Sequence, residues 1–104
     1  MTRVAFKMKL NRGFEEEYQK RHDAIWPELA LLLKTTGISE YSIFLDEETN
    51  ILFGIMKAAV PEALSNLPLE PVMQRWWTYM QDIMECNEDH SPVSIPLKEV
   101  FYLP

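Results

Sequence analysis

The sequence predicts an α+β fold of ferredoxin-like order, β-α-β-β-α-β, with one antiparallel sheet and helices on one of its faces. Three observations carry that expectation. Apolar residues alternate with polar ones in separated stretches, helical spacing lies between those stretches, and Gly, Pro and Asn punctuate the joins.

The first stretch runs from Val4 to Leu10, where Val4, Phe6, Met8 and Leu10 alternate with Lys7 and Lys9 as a strand with one buried face. Asn11 and Gly13 break it. Glu15, Glu16 and Glu17 then stand where a helix N-terminus favours negative charge, and Glu16 with Lys20 and Glu17 with Arg21 are spaced as helical pairs. A helix from about Phe14 to Asp23 follows. Pro27 lacks the N–H a helix interior needs and biases Trp26 towards extended angles. The spacing therefore predicts a break at Trp26 and a second piece from Pro27 to Thr36, stopped by Gly37.

Tyr41, Ile43 and Leu45 alternate with Ser42 and Phe44 as a second strand, Asp46–Asn50 is a polar turn, and 51–60 reads as a third strand. Residues 61–71, with Pro61, Pro68 and Pro71, read as a short helix or an irregular connection. Val72, Trp76, Tyr79, Met80 and Ile83 recur at helical spacing, widened by Met73, Trp77 and Met84, which predicts a helix over 72–84. A loop over 85–96 leads to a last strand expected over 97–103.

Two helical layers cover one sheet face, yet the third strand is apolar on both, with Ile51, Phe53 and Ile55 on one side and Leu52 and Met56 on the other. A second copy of the same sheet is the simplest cover. The expected assembly is a twofold homodimer of the dimeric α/β-barrel type.

At 104 residues, with 47% hydrophobic and 25% charged residues, the chain is expected to form one domain over 1–104. Its net charge of −6 and the lack of any basic run longer than Lys20-Arg21 argue against nucleic acid as a partner. The longest apolar runs, 29–33 and 51–56, are far shorter than the roughly 18 to 20 residues that cross a bilayer, so no membrane association is expected. Charge at Arg3 and Lys7 interrupts any apolar leader, and Cys86, the only cysteine, suits a reducing compartment. The expected location is the cytoplasm.

Few residues are candidates for chemistry. Gly13, Gly37 and Gly54 are scattered, so no glycine-rich phosphate loop exists. Cys86, Asp89 and His90 share a loop but lack a second matched ligand pair, and no metal site is expected. Tyr18 and His22, four apart on the first helix, project from one face, either as packing residues or into a common pocket. Trp76 and Trp77 point about 100° apart on a helix. Both can be core, or one can face a cavity, where a flat ring suits the C–H face of a sugar. Tyr41, in the inward-facing set of its strand, either packs or adds a hydroxyl to that cavity.

The combination of Tyr18-x-x-x-His22, Ile25-Trp26-Pro27-Glu28-Leu29, Tyr41, Arg75-Trp76-Trp77, Ser91-Pro92-Val93-Ser94 and Glu99-Val100-Phe101-Tyr102-Leu103-Pro104 closely resembles the L-rhamnose mutarotases. The resemblance implies a cytoplasmic, homodimeric, cofactor-free enzyme that interconverts α- and β-L-rhamnose. It implies that His22 is the proton donor and that Tyr18, Tyr41, Trp76 and Trp77 bind the sugar. The loop 87–92 reads Asn-Glu-Asp-His-Ser-Pro where the family usually reads Asn-Pro-Asp-Asn-Ser-Pro, so His90 is a local substitution and not a shared catalytic group.

The chemistry agrees with the residues. Mutarotation moves one proton to the ring oxygen and another off the anomeric hydroxyl, which a group titrating near neutrality can do without a cofactor. Two other readings stand beside it. A cofactor-free oxygenase or lactone isomerase on the same scaffold would have a more uniformly apolar cavity, and a non-catalytic sugar-binding module would need the tryptophans but not His22.

Overall fold

The computed structural model describes residues 2–104. Strand β1 (Thr2–Lys9) leads to helices α1 (Glu15–Asp23) and α2 (Pro27–Thr35). Strands β2 (Ile38–Asp46) and β3 (Ile51–Ala58) follow, then a 3-10 segment (Pro61–Leu69), helix α3 (Pro71–Met80) and strand β4 (Ile95–Leu97). The sheet order is β2-β3-β1-β4 with every neighbouring pair antiparallel, the ferredoxin-like arrangement expected from the sequence.

The helix boundaries follow local chemistry. Glu15, Glu16 and Glu17 occupy the first turn of α1 and Lys20 and Arg21 its last, each sign at the favourable end of the helix dipole. Trp26 is extended (φ −61°, ψ 131°) ahead of Pro27, which opens α2. Gly37 takes φ +98° after α2, a left-handed conformation that glycine adopts without strain.

Val4, Phe6 and Met8 of β1 and Met56 of β3 face the helices, and the buried core gathers Met8, Leu10, Leu29, Leu52, Trp76, Met80 and Ile83 among others. Gly54 is required where it is, because a Cβ there would collide with the Phe6 ring. On the other face Phe44, Ile55, Ile95 and Leu97 are exposed, leaving an apolar surface that no helix among the described residues covers.

Two expected boundaries need correction. The helix expected over 72–84 ends at Met80, although the apolar spacing continues to Ile83 and Met84. These two residues are held by the end of β1 instead. Asn11 N–H donates to the Ile83 carbonyl at 2.9 Å, and Leu10 bridges to Met84. The last strand was expected over 97–103 but spans Ile95–Leu97. Beyond it the tail is held by side chains, with the Arg3 guanidinium 3.6 Å over the Tyr102 ring and 3.4 Å from Glu99.

Candidate active site

Helix α1 places Tyr18 and His22 on one face, and their rings stack with centroids 4.3 Å apart at 29°. Tyr18 is buried and His22 half-buried. The His22 Nδ1 lies 3.0 Å from the Tyr18 carbonyl oxygen. A carbonyl only accepts, so this contact assigns the ring proton to Nδ1 and leaves Nε2 with a free lone pair in the neutral ring.

Helix α3 brings Trp76 edge-on to His22, with centroids 5.4 Å apart at 89°. Trp76 is buried and Trp77 half-buried, and both line one cavity of about 330 Å³ together with Phe6, Met8, His22 and Tyr41. That volume lies within the range of small-molecule sites. The 3-10 segment contributes Leu64, Leu67 and Pro68 to the wall, so the proline-rich connection that had no clear reading in the sequence forms one side of this cavity. A second hollow shares His22 and Tyr41 and adds Tyr18, Gln19, Asp23 and Glu47. The histidine and Tyr41 thus stand where an apolar space meets a polar one.

Tyr41 reaches this position through an irregularity in β2. Between Ser39 and Ser42 the strand carries one more residue than β3 opposite it, and Glu40 absorbs the extra residue at φ +48°. The slip changes the parity of the strand, so Ile38, Tyr41 and Ile43 all face the helices.

Burial lowers the His22 pKa below the ordinary histidine value, partly opposed by the Tyr18 carbonyl and the Asp23 charge. Burial raises the Tyr18 hydroxyl above the ordinary tyrosine value, and local desolvation pushes Tyr41 up to about 12 although the residue as a whole is 37% exposed. At neutral pH the site therefore presents a neutral imidazole and two protonated hydroxyls.

The five residues expected from the sequence, Tyr18, His22, Tyr41, Trp76 and Trp77, come together around these two spaces. His90 is apart from them, at 3.3 Å from the Thr78 hydroxyl and in a left-handed conformation (φ +71°) that Asn tolerates more readily. Cys86 is half-buried against the Met84 carbonyl at 3.4 Å. Among the described residues no three His, Cys, Asp or Glu side chains gather as a metal site.

Sequence reasoning gave Trp26 no place in the site, reading it as a helix break and as part of the Trp26-Pro27-Glu28 segment of the resemblance. Its ring stands edge-on to Trp76 at 5.1 Å and 88°, and stacks on Tyr79 at 5.6 Å and 28°. The signal was present in the Trp26-Pro27 pair, because an extended residue between two helices throws its side chain out of both helical faces.

The family model for L-rhamnose mutarotase matches residues 3–103. An L-rhamnose mutarotase from Sinorhizobium fredii is 57% identical over 103 residues, covering 99% of both chains. One from Bacteroides thetaiotaomicron is 55% identical over the same shares. The crystal structure of an L-rhamnose mutarotase from Formosa agariphila superposes with a TM-score of 0.94 at 53% identity, covering all of both chains.

Proposed function

The chain belongs to the L-rhamnose mutarotase family and interconverts the α and β anomers of L-rhamnose, and we propose that His22 is the acid/base group while Tyr18, Tyr41, Trp76 and Trp77 hold the sugar. The observation that carries this assignment is the contact between His22 Nδ1 and the Tyr18 carbonyl, which leaves Nε2 as the free nitrogen of a residue lining both spaces.

Opening a pyranose breaks the bond between C1 and the ring oxygen, takes a proton from the anomeric hydroxyl and delivers one to the ring oxygen. The aldehyde then rotates, and closure reverses the transfers. The neutral His22 Nε2 takes the anomeric proton, and the imidazolium so formed returns it to the ring oxygen as the C1–O bond breaks, so one imidazole serves both transfers, while a tyrosine hydroxyl that stays protonated is a hydrogen-bond donor to a sugar oxygen. General acid/base catalysis of this kind is worth about 10²- to 10⁴-fold, or roughly 3 to 5.5 kcal/mol of barrier. The apolar wall of Phe6, Met8 and Leu67 suits the methyl group of a 6-deoxy sugar, and the polar hollow suits its hydroxyls. That polar half is what a uniformly apolar oxygenase cavity would lack.

The working form is a twofold homodimer joined through the open sheet face, a reading supported by exposed Phe44, Ile55, Ile95 and Leu97. The lone Cys86 favours the cytoplasm, and the charge of −6 argues against nucleic acid as a partner. No helix among the described residues is long and apolar enough to cross a membrane. Exchange NMR between the two L-rhamnose anomers, with and without the protein, tests the central claim. Exchange no faster with protein than without it would refute the reading.

A further inference from the structure

Helix α1 carries Tyr18 and His22 yet is poorly equipped to hold itself in place. Of its nine residues only Tyr18 is buried, and six are Asp, Glu, Lys or Arg. A helix of this length is marginal alone and depends on tertiary contacts. The strongest polar contact it makes with the rest of the chain is through Arg21, the residue before His22.

The Arg21 side chain is only 11% exposed and has each of its three nitrogens engaged. Its Nε donates to Glu17 at 2.7 Å within α1, while Nη1 and Nη2 fork onto the two carboxylate oxygens of Asp82 at 2.9 and 3.2 Å. Nη1 also donates to the Tyr79 carbonyl at 2.7 Å, and the guanidinium lies 4.4 Å over the Tyr79 ring. The last carbonyls of a helix have no partner within it and carry its negative dipole end, so Arg21 caps α3 from another helix. A planar five-donor fork is suited to this as a lysine ammonium is not.

The grip sits at one end of an aromatic chain. Tyr79 stacks on Trp26, Trp26 meets Trp76 edge-on, and Trp76 meets His22 edge-on. Arg21 and His22 are neighbours on α1, and Tyr79 and Trp76 lie one turn apart on α3. The two helices are thus tied at two points, and the tie at Arg21 sets how α1 presents the imidazole. We propose that Arg21 is a positioning residue, fixing His22 against Trp76 and the cavity, and that its effect on the reaction passes through His22. The proposal rests on His22 being the acid/base group.

The test compares wild type, Arg21→Lys, His22→Asn and the double variant by L-rhamnose exchange NMR, with thermal melts and an NMR titration of the His22 imidazole. Lysine keeps the charge, so a change in His22 reports position and not a lost cation. The other groups facing His22, which are Tyr18, Asp23 and Tyr41, are unchanged. In Arg21→Lys, kcat should fall about 10-fold with KM within about twofold, since a misplacement near 1 Å can cost up to about 10²-fold. The His22 midpoint should move up towards the ordinary histidine value as its burial loosens. In the His22→Asn background the second change should cost less than about twofold. Unaltered kcat in a folded Arg21→Lys variant, or the same fold-loss in both backgrounds, would overturn the proposal. If Arg21→Lys does not fold, Asp82→Asn removes the charged fork while leaving the Tyr79 carbonyl in place. It should show a smaller loss with the same dependence on His22, and equal losses in the two backgrounds would count against the idea. If wild type accelerates no exchange, the catalytic reading falls, and an unmoved His22 midpoint then overturns the positioning claim separately.

Discussion

His22 gains its properties from two neighbours: the Tyr18 carbonyl sets the tautomer and the Tyr18 ring covers one face, while Trp76 meets the imidazole at right angles. Burial favours the neutral ring, so the base form persists to lower pH than in a free histidine, whose pKa is about 6.5. The acid limb of kcat/KM for anomer exchange should therefore break below that value, with activity falling as protonation fills Nε2. An acid limb at or above the ordinary histidine value would contradict it. Replacing His22 with Asn keeps hydrogen-bonding ability but removes titration near neutrality, and should lower exchange by about 10²-fold or more while sugar binding largely survives. The His90→Asn variant should match wild type, since His90 touches Thr78 outside the cluster. The reverse pattern, loss only in the His90 variant, would move the acid/base role to the loop 86–91.

Among the elements, α3 supplies Met73, Trp76 and Trp77 to the cavity, and Gly54 of β3 makes room for Phe6, which lines it. Trp76 is buried against the core while Trp77 is half-buried at the cavity, so truncating them separates packing from binding. Trp76→Ala should cost about 3 to 5 kcal/mol of stability, whereas Trp77→Ala should melt closer to wild type and lose sugar affinity. Calorimetric titration of L-rhamnose into the folded Trp77 variant checks this, and unchanged affinity would remove Trp77 from the site. On β3, Gly54 leaves room for the far end of the Phe6 ring, where a Cβ would collide with Cζ. A Gly54→Ala change must push that ring into the cavity or the strand away from it, costing about 1 to 3 kcal/mol. A thermal melt as high as wild type would show that the ring moves freely.

For the whole molecule, the sheet face away from the helices is the outstanding feature. Phe44 and Ile55 are exposed there, and Phe101 and Leu103 of the tail lie beside it in the hollow that Arg3 and Ile55 line. A face of this kind, with Lys7 set between Phe53 and Ile95 and the other outward side chains largely apolar, is the usual mark of an interface. Sedimentation should find a homodimer at micromolar concentration, and Phe44→Asp together with Ile55→Asp should shift it towards monomer. A well-folded wild-type monomer at that concentration would remove the dimer.

Local patterns sufficed for much of this molecule. The alternation of Val4, Phe6 and Met8 predicted β1, the charge order of residues 15–23 predicted α1, and Pro27 and Gly37 bounded α2, because each is a short-range matter of backbone preference and helix dipole. Spacing put Tyr18 and His22 on one face for the same reason. What local pattern could not carry was any choice between competing partners far apart in sequence. The helical spacing ran on to Met84, but hydrogen bonding to the end of β1 took Ile83 and Met84 out of α3. Beyond Leu97 the tail leaves the sheet edge and meets Arg3 through the side chains of Glu99 and Tyr102 instead. Glu17 and Arg21 formed the expected helical pair, yet nothing within α1 shows that the same guanidinium also closes over Asp82 and Tyr79. The Arg21 contacts join residues about 60 positions apart, and their energy exists only once the fold has brought α1 within side-chain reach of Tyr79 and Asp82.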